Sequence, residues 1–110
     1  AKPNFDKSPG ARKIYQRKEY VIYQVKHGYI VHNTKKHFEE GHTHIHSYKQ
    51  AMYLVDCILN NKIPKKVNKY FLVSLVRLSN SKKYREQIQR RIDGEVELKH
   101  YHNTPKHYRK

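Results

Sequence analysis

"YVIYQVKHGYIVHN", residues 20–33, is the stretch that decides the fold class. Valine, isoleucine and tyrosine fill both halves at strand density, because branched and aromatic side chains pack well on a pleated surface. Gly28 lies between the halves and accepts a positive φ that other residues resist. The stretch predicts a β-hairpin turning near His27-Gly28. Just downstream, "EEGHTHIHSY" (39–48) predicts a third, short strand beginning at Gly41. The two-residue period of a strand puts His42, His44 and His46 on one face and Thr43 and Ile45 on the other. Ile45 then anchors the strand to a core, and the imidazoles face outward or into a groove.

Helical spacing takes over after the histidines. Ser47 followed by Gln50 matches a capping box, in which a hydroxyl satisfies a free amide of the first turn. Ala51, Leu54, Val55, Ile58 and Leu59 recur at helical intervals, predicting a helix that ends near Asn60-Asn61, before Pro64. A second helix is expected from about Lys65 to Leu78. Its "YFLVSLV" segment is apolar almost all round and reads as the most buried element. Ser79 and Ser81 offer caps for a third helix over Lys82–Ile92, anchored by Tyr84, Ile88 and Ile92 and stopped by Asp93-Gly94. "EVEL" beyond it fits a short strand or a continued helix equally well. The expected architecture is α+β, a small antiparallel sheet (N-terminal hairpin plus short third strand) packed with three helices. Residues 1–13 read as a flexible basic arm, 14–98 as a single domain, and 99–110 as a basic aromatic tail ordered only by a partner. The apolar second helix also makes a homodimer an expectation.

Charge points to the partner. Twenty-four Lys and Arg against nine Asp and Glu give +15 on 110 residues. Self-repulsion of that size opposes compaction unless a polyanion neutralises it, so RNA is the expected partner. There are ten tyrosines against three phenylalanines, several interleaved with cations, as in "KKYREQIQRR" and "KHYHNTPKHYRK". Such rings stack on bases, although each taken singly suits a small core with its hydroxyl at the rim. The sole cysteine, Cys57, excludes an internal disulfide and falls in an apolar helical pattern, as a small buried hydrophobe would. The start shows no secretory pattern, and no run of about 18 apolar residues occurs. A soluble cytoplasmic protein with no membrane partner is expected.

The three alternating histidines admit three readings. A metal site lacks companions: Glu39 and Glu40 are the only nearby carboxylates, and no Cys-x-x-Cys or His-Glu-x-x-His pattern occurs. No metal and no cofactor are therefore expected. Acid–base cleavage of RNA needs no metal, because the 2′-OH is a built-in nucleophile. Histidine titrates near neutrality and suits both proton roles. On this reading His42, His44 and His46 do the proton chemistry, and His32 joins them if the third strand pairs beside the hairpin. The third reading makes the imidazoles a phosphate-contacting surface and nothing more. In either case Lys82, Lys83, Arg85, Arg90 and Arg91 of the third helix are expected to hold phosphate. Tyr101, Lys106, Tyr108, Arg109 and Lys110 of the tail join them. A DNA-binding regulator that lays the third helix in the major groove is the remaining alternative.

The bias to Lys, Ile, Asn and Tyr, with "YIVHN…GHTHI" and "NKIPKKVNKYFLVSLVRLS", resembles small proteins of phages and mobile elements of low-GC Gram-positive bacteria. That group includes anti-CRISPRs, which engage guide RNA or the RNA channel of an effector. The resemblance implies an anti-defence context and a ribonucleoprotein effector as a further partner. It carries no functional residue across.

Overall fold

A computed structural model describes residues 11–103, with residues 95–103 as backbone only. The hairpin is present: β2 (Tyr20–Val25) pairs antiparallel with β3 (Gly28–Asn33) across a two-residue turn, Val25 opposite Gly28. Gly28 has φ +140°, and a Cβ there would lie 2.8 Å from the Ile45 carbonyl oxygen. Glycine is required twice over, by the backbone angle and by the close passage of the next strand. That strand, β4 (His42–Ile45), pairs antiparallel with β3.

One more strand precedes the hairpin. β1 (Arg12–Arg17) pairs with β2 through a turn in which Lys18 takes φ 54°, completing a four-stranded sheet in the order β1-β2-β3-β4. Arg12 and Lys13, read above as part of the arm, belong to it, whereas residues 1–10 lie outside the described residues. Its sequence, RKIYQR, is mostly charged and polar, and its register shifts between Lys13 and Tyr15. Charge and a bulge are how an edge strand is kept from pairing with other chains, and both hide a strand from hydrophobic pattern.

The helices are α1 (Tyr48–Leu59), α2 (Lys69–Leu78) and α3 (Lys82–Asn103). Ser47 caps α1 by accepting from the Gln50 amide at 3.3 Å, as the capping pattern predicts. α2 starts four residues later than the expected start near Lys65, because Asn68 is its cap: Asn68 Oδ1 accepts from the Phe71 amide at 2.9 Å. α3 runs on through Asp93-Gly94 to Asn103, which settles "EVEL" as helix and takes residues 99–103 out of the tail. A Cβ at Gly94 would meet nothing within 4 Å, so this glycine weakens the helix without being forced to end it.

The sheet's helical side and the helices enclose the core. Tyr20, Ile22 and Val31 from the strands meet Leu54 and Val55 of α1, Leu72 and Leu75 of α2, and Tyr84 and Ile88 of α3. Val21, Tyr23 and Ile30 form a smaller buried cluster on the other side, with Val25 and Phe38 packed on it. Two of the ten tyrosines show why the core takes this residue where Phe would serve less well. Tyr20 Oη donates to the Leu78 carbonyl at 3.1 Å and Tyr84 Oη to the Lys62 carbonyl at 2.6 Å. Each ring fills the core while its hydroxyl satisfies a carbonyl that Phe would leave bare. Burial pushes both phenols up, so they remain donors.

The carboxyl end of α2 is tied to distant parts of the chain. Asn33 Nδ2 joins Tyr20 on the Leu78 carbonyl at 2.8 Å, and Lys36 Nζ donates to the Arg77 carbonyl at 2.9 Å. Just past the helix, Arg85 donates to the Ser79 carbonyl at 2.8 Å. These donors satisfy carbonyls that a helix end leaves open, and the two cations suit the negative end of its dipole. α2 itself is two-sided. Phe71, Leu72, Leu75 and Leu78 are buried within the domain, while Tyr70 and Val73 face out. The apolar surface that suggested a homodimer is thus mostly consumed inside the chain.

Candidate nucleic-acid interface

Strand register fixes the first part of the site. His42 lies opposite His32 and His44 opposite Ile30, while Thr43 and Ile45 lie opposite Val31 and Tyr29. Opposed residues share a face, so His42 and His44 share one side of the sheet and Thr43 and Ile45 take the core side. His46 falls one residue past the strand, at the approach to the Ser47 cap.

The histidines then separate into different environments. His32 is 1% exposed, its Nε2–H donates to the Lys36 carbonyl at 3.2 Å, and its ring meets Phe38 edge-on. The third strand does pair beside the hairpin and sets His32 opposite His42, but His32 is buried and holds the loop after β3 through the Lys36 carbonyl. His42 stacks on Phe38 at 4.0 Å between centroids and donates Nδ1–H to the Phe38 carbonyl. That bond fixes the tautomer and leaves Nε2 as the acceptor when the ring is neutral. His44 stands edge-on to His42, 5.1 Å away, on the exposed surface. Partial desolvation at the strand edge, then the neighbouring His42 and Arg77, hold the His44 imidazole below the usual 6.5.

His44 and His46 border a groove of about 590 Å³ between the β4–α1 junction and α2. Lys49 of α1 and Tyr70, Val73 and Arg77 of α2 line it as well. Thr43 and Ser74 join its walls through hydroxyls 2.7 Å apart. Both helix caps, Ser47 and Asn68, border it, and neither helix has an acid in its first turn. Among the described residues lining the groove there is no carboxylate. A cleft edged by cations and lacking acids concentrates anions. Among the described residues no three His, Cys, Asp or Glu side chains converge as metal ligands.

The cations of α3 form a different surface. Among the described residues, none from α3 lines the groove. Arg85 is engaged with the Ser79 carbonyl and Arg91 with the Lys65 carbonyl at 2.8 Å, so both hold loops in place. Lys82, Lys83 and Arg90 are exposed and free to meet solvent or phosphate. Tyr101 falls in the backbone-only part of α3, and Lys106, Tyr108, Arg109 and Lys110 lie outside the described residues. Lys49, Tyr70 and Arg77 are the groove residues that sequence reasoning missed. The available signal was the i, i+3, i+7 spacing of Tyr70, Val73 and Arg77, which places them on one side of a helix.

Compared with known protein families, with curated proteins and with solved structures, the chain matches none. Among the described residues no helix is long and apolar enough to cross a membrane.

The depressed His44 titration has a measurable consequence. In the unfolded chain His44 protonates near 6.5, and in the folded protein only at lower pH. Between those values the unfolded state binds more protons, so stability falls as pH drops through 6.5. The Asp56 carboxylate, lowered chiefly by its hydrogen bond from Lys62, contributes stability that is lost only at or below 3.8. Thermal melts from about pH 7.5 to about pH 5 are expected to show a falling Tm, and a smaller fall in His44→Gln. Equal falls in the two proteins would place the acid sensitivity elsewhere.

Proposed function

We propose that this protein binds RNA, holding the phosphodiester backbone in the groove between β4 and α2. The observation that carries the reading is the groove itself: His44, His46, Lys49 and Arg77 border it, with no carboxylate among its described lining residues. The overall charge of +15 draws a polyanion to the whole molecule, and the groove offers it a specific seat. The exposed Lys82, Lys83 and Arg90 extend the basic surface along α3. RNA held within a ribonucleoprotein effector presents the same phosphate chemistry and is a partner of the same class.

Titrating labelled RNA and labelled duplex DNA of equal length into the purified protein tests this. RNA is expected to bind more tightly, with an affinity that falls steeply as salt rises. Preference for the DNA duplex would overturn the reading in favour of a regulator working through α3.

One observation favours a second reading, a metal-independent ribonuclease. His44 and His46 line the same groove as Arg77 and Lys49, which sets two imidazoles among cations that could hold a phosphate. His44 would accept the 2′-OH proton as the 2′-oxygen attacks phosphorus. The 5′-oxygen would leave with a proton from His46, and a 2′,3′-cyclic phosphate would remain. Incubation with labelled RNA in EDTA separates the readings. Cleavage that disappears in His44→Ala and His46→Ala supports catalysis, and intact RNA leaves binding alone.

A further inference from the structure

Tyr70 is 82% exposed, far more than Tyr48 at 37% or Tyr53 at 40%. Those two have ring partners within the fold: Tyr48 lies 5.5 Å from Tyr29, and Tyr53 lies 5.6 Å from Phe71. No described ring stacks on Tyr70. A single exposed ring is ordinary on a protein surface. Its company is what distinguishes this one. Val73 lies one turn further along the same side of α2 and Arg77 another turn on, all three on the groove wall. The wall thus presents a ring, an apolar side chain and a guanidinium in sequence. The opposite wall holds His44, His46 and Lys49.

We propose that this groove is a subsite for unpaired nucleotides of a single RNA strand, with Tyr70 as the platform on which a base stacks and Arg77 and Lys49 on the neighbouring phosphates. The inference rests on the RNA-binding reading and narrows it to one form of RNA. A ring needs a free base face, and in a duplex each base face is already covered by its neighbours. A volume of about 590 Å³ suits a base with its sugar and phosphate and is far too small for a paired helix. The groove also spends its inner polar groups on the fold. Asn68 Oδ1 holds the Phe71 amide, and Ser74 Oγ is shared between Thr43 and the Tyr70 carbonyl. Affinity here comes from stacking and charge, which every base supplies, so the subsite reads strandedness more than sequence.

Fluorescence anisotropy with a labelled oligouridine, alone and annealed to its oligoadenosine complement, tests the proposal. The single strand is expected to bind at least about tenfold more tightly than the duplex. Tyr70→Ala is expected to weaken single-strand binding by roughly ten- to hundredfold and leave duplex binding unchanged, with Tyr70→Phe close to wild type. The exposed position makes misfolding of these variants a minor concern, and matched circular dichroism melts check it. Equal affinity for strand and duplex, or full single-strand affinity in Tyr70→Ala, would overturn the subsite while leaving RNA binding intact. Failure of the wild-type protein to bind either form would overturn the RNA reading itself, and the subsite with it.

Discussion

Reversing the two groove cations together, Lys49→Glu with Arg77→Glu, is expected to weaken binding of a short single-stranded RNA by about a hundredfold near 0.1 M salt. Both side chains are exposed, so each contact with phosphate is screened and contributes modestly, about 1 kcal/mol. Reversal removes that attraction and adds repulsion against the same phosphate, and two positions together reach roughly 3 kcal/mol. The slope of log affinity against log salt is expected to flatten by about 1.4, since each lost contact with a single strand removes about 0.7. The decisive comparison is Lys82→Glu with Lys83→Glu, which changes net charge equally but lies on α3, away from the groove. A much smaller loss in that variant supports the groove as the seat of binding. Equal losses would mean that RNA responds to total charge and that the groove has no special part.

Asn33→Ala is expected to cost about 2–3 kcal/mol of stability, the largest effect of any single polar substitution in this domain. Asn33 is 0% exposed and uses both ends of its amide. Nδ2 donates to the Leu78 carbonyl at 2.8 Å and to Asn80 Oδ1 at 2.7 Å, and Oδ1 accepts from the Lys35 amide at 2.9 Å. Alanine strips these partners in a place where water does not readily replace them. Urea unfolding is expected to show a lower midpoint with an unchanged m-value. Asn33→Asp separates the two ends, because it keeps the acceptor for Lys35 and loses the donors. It is expected to be at least as unstable as Asn33→Ala, since a buried carboxylate would then face two oxygens. A midpoint for Asn33→Ala within error of wild type would show that Asn33 adds nothing to the hold of Tyr20 on the Leu78 carbonyl.

The elements most legible in the sequence were those whose hydrophobic pattern and end signals agreed. β2, β3 and α1 combine dense apolar spacing with Gly28 or the Ser47 cap, and local chemistry alone specifies them. β1 escaped notice because an edge strand can be charged on most positions, and Ile14 and Tyr15 are its only apolar residues. The second helix was correctly placed in the core, yet its apolar run concealed an exposed side. Tyr70 and Val73 look like core residues until the fold shows Phe71, Leu72, Leu75 and Leu78 filling the buried side. The groove was half legible for the same reason. Strand alternation brought His42 and His44 to one face, but Lys49 and Arg77 come from different helices. Only the packing of α2 beside β4 brings them together. His32 was expected near the other histidines if the third strand paired beside the hairpin, and it lies opposite His42, yet only the fold shows that Phe38 packs against it and buries it.

The fastening of α2 at its carboxyl end bears on how the groove meets a ligand. Four side chains, from β2, β3, the loop after β3 and the start of α3, converge on the carbonyls of Arg77, Leu78 and Ser79. The end of the wall that carries Arg77 is therefore fastened to the rest of the domain. An end so fastened has little conformational freedom left to surrender when a ligand arrives. On the RNA-binding reading proposed above, the fastened end of α2 would be the part of the groove set in advance, and the nucleic acid would be the partner that orders on binding.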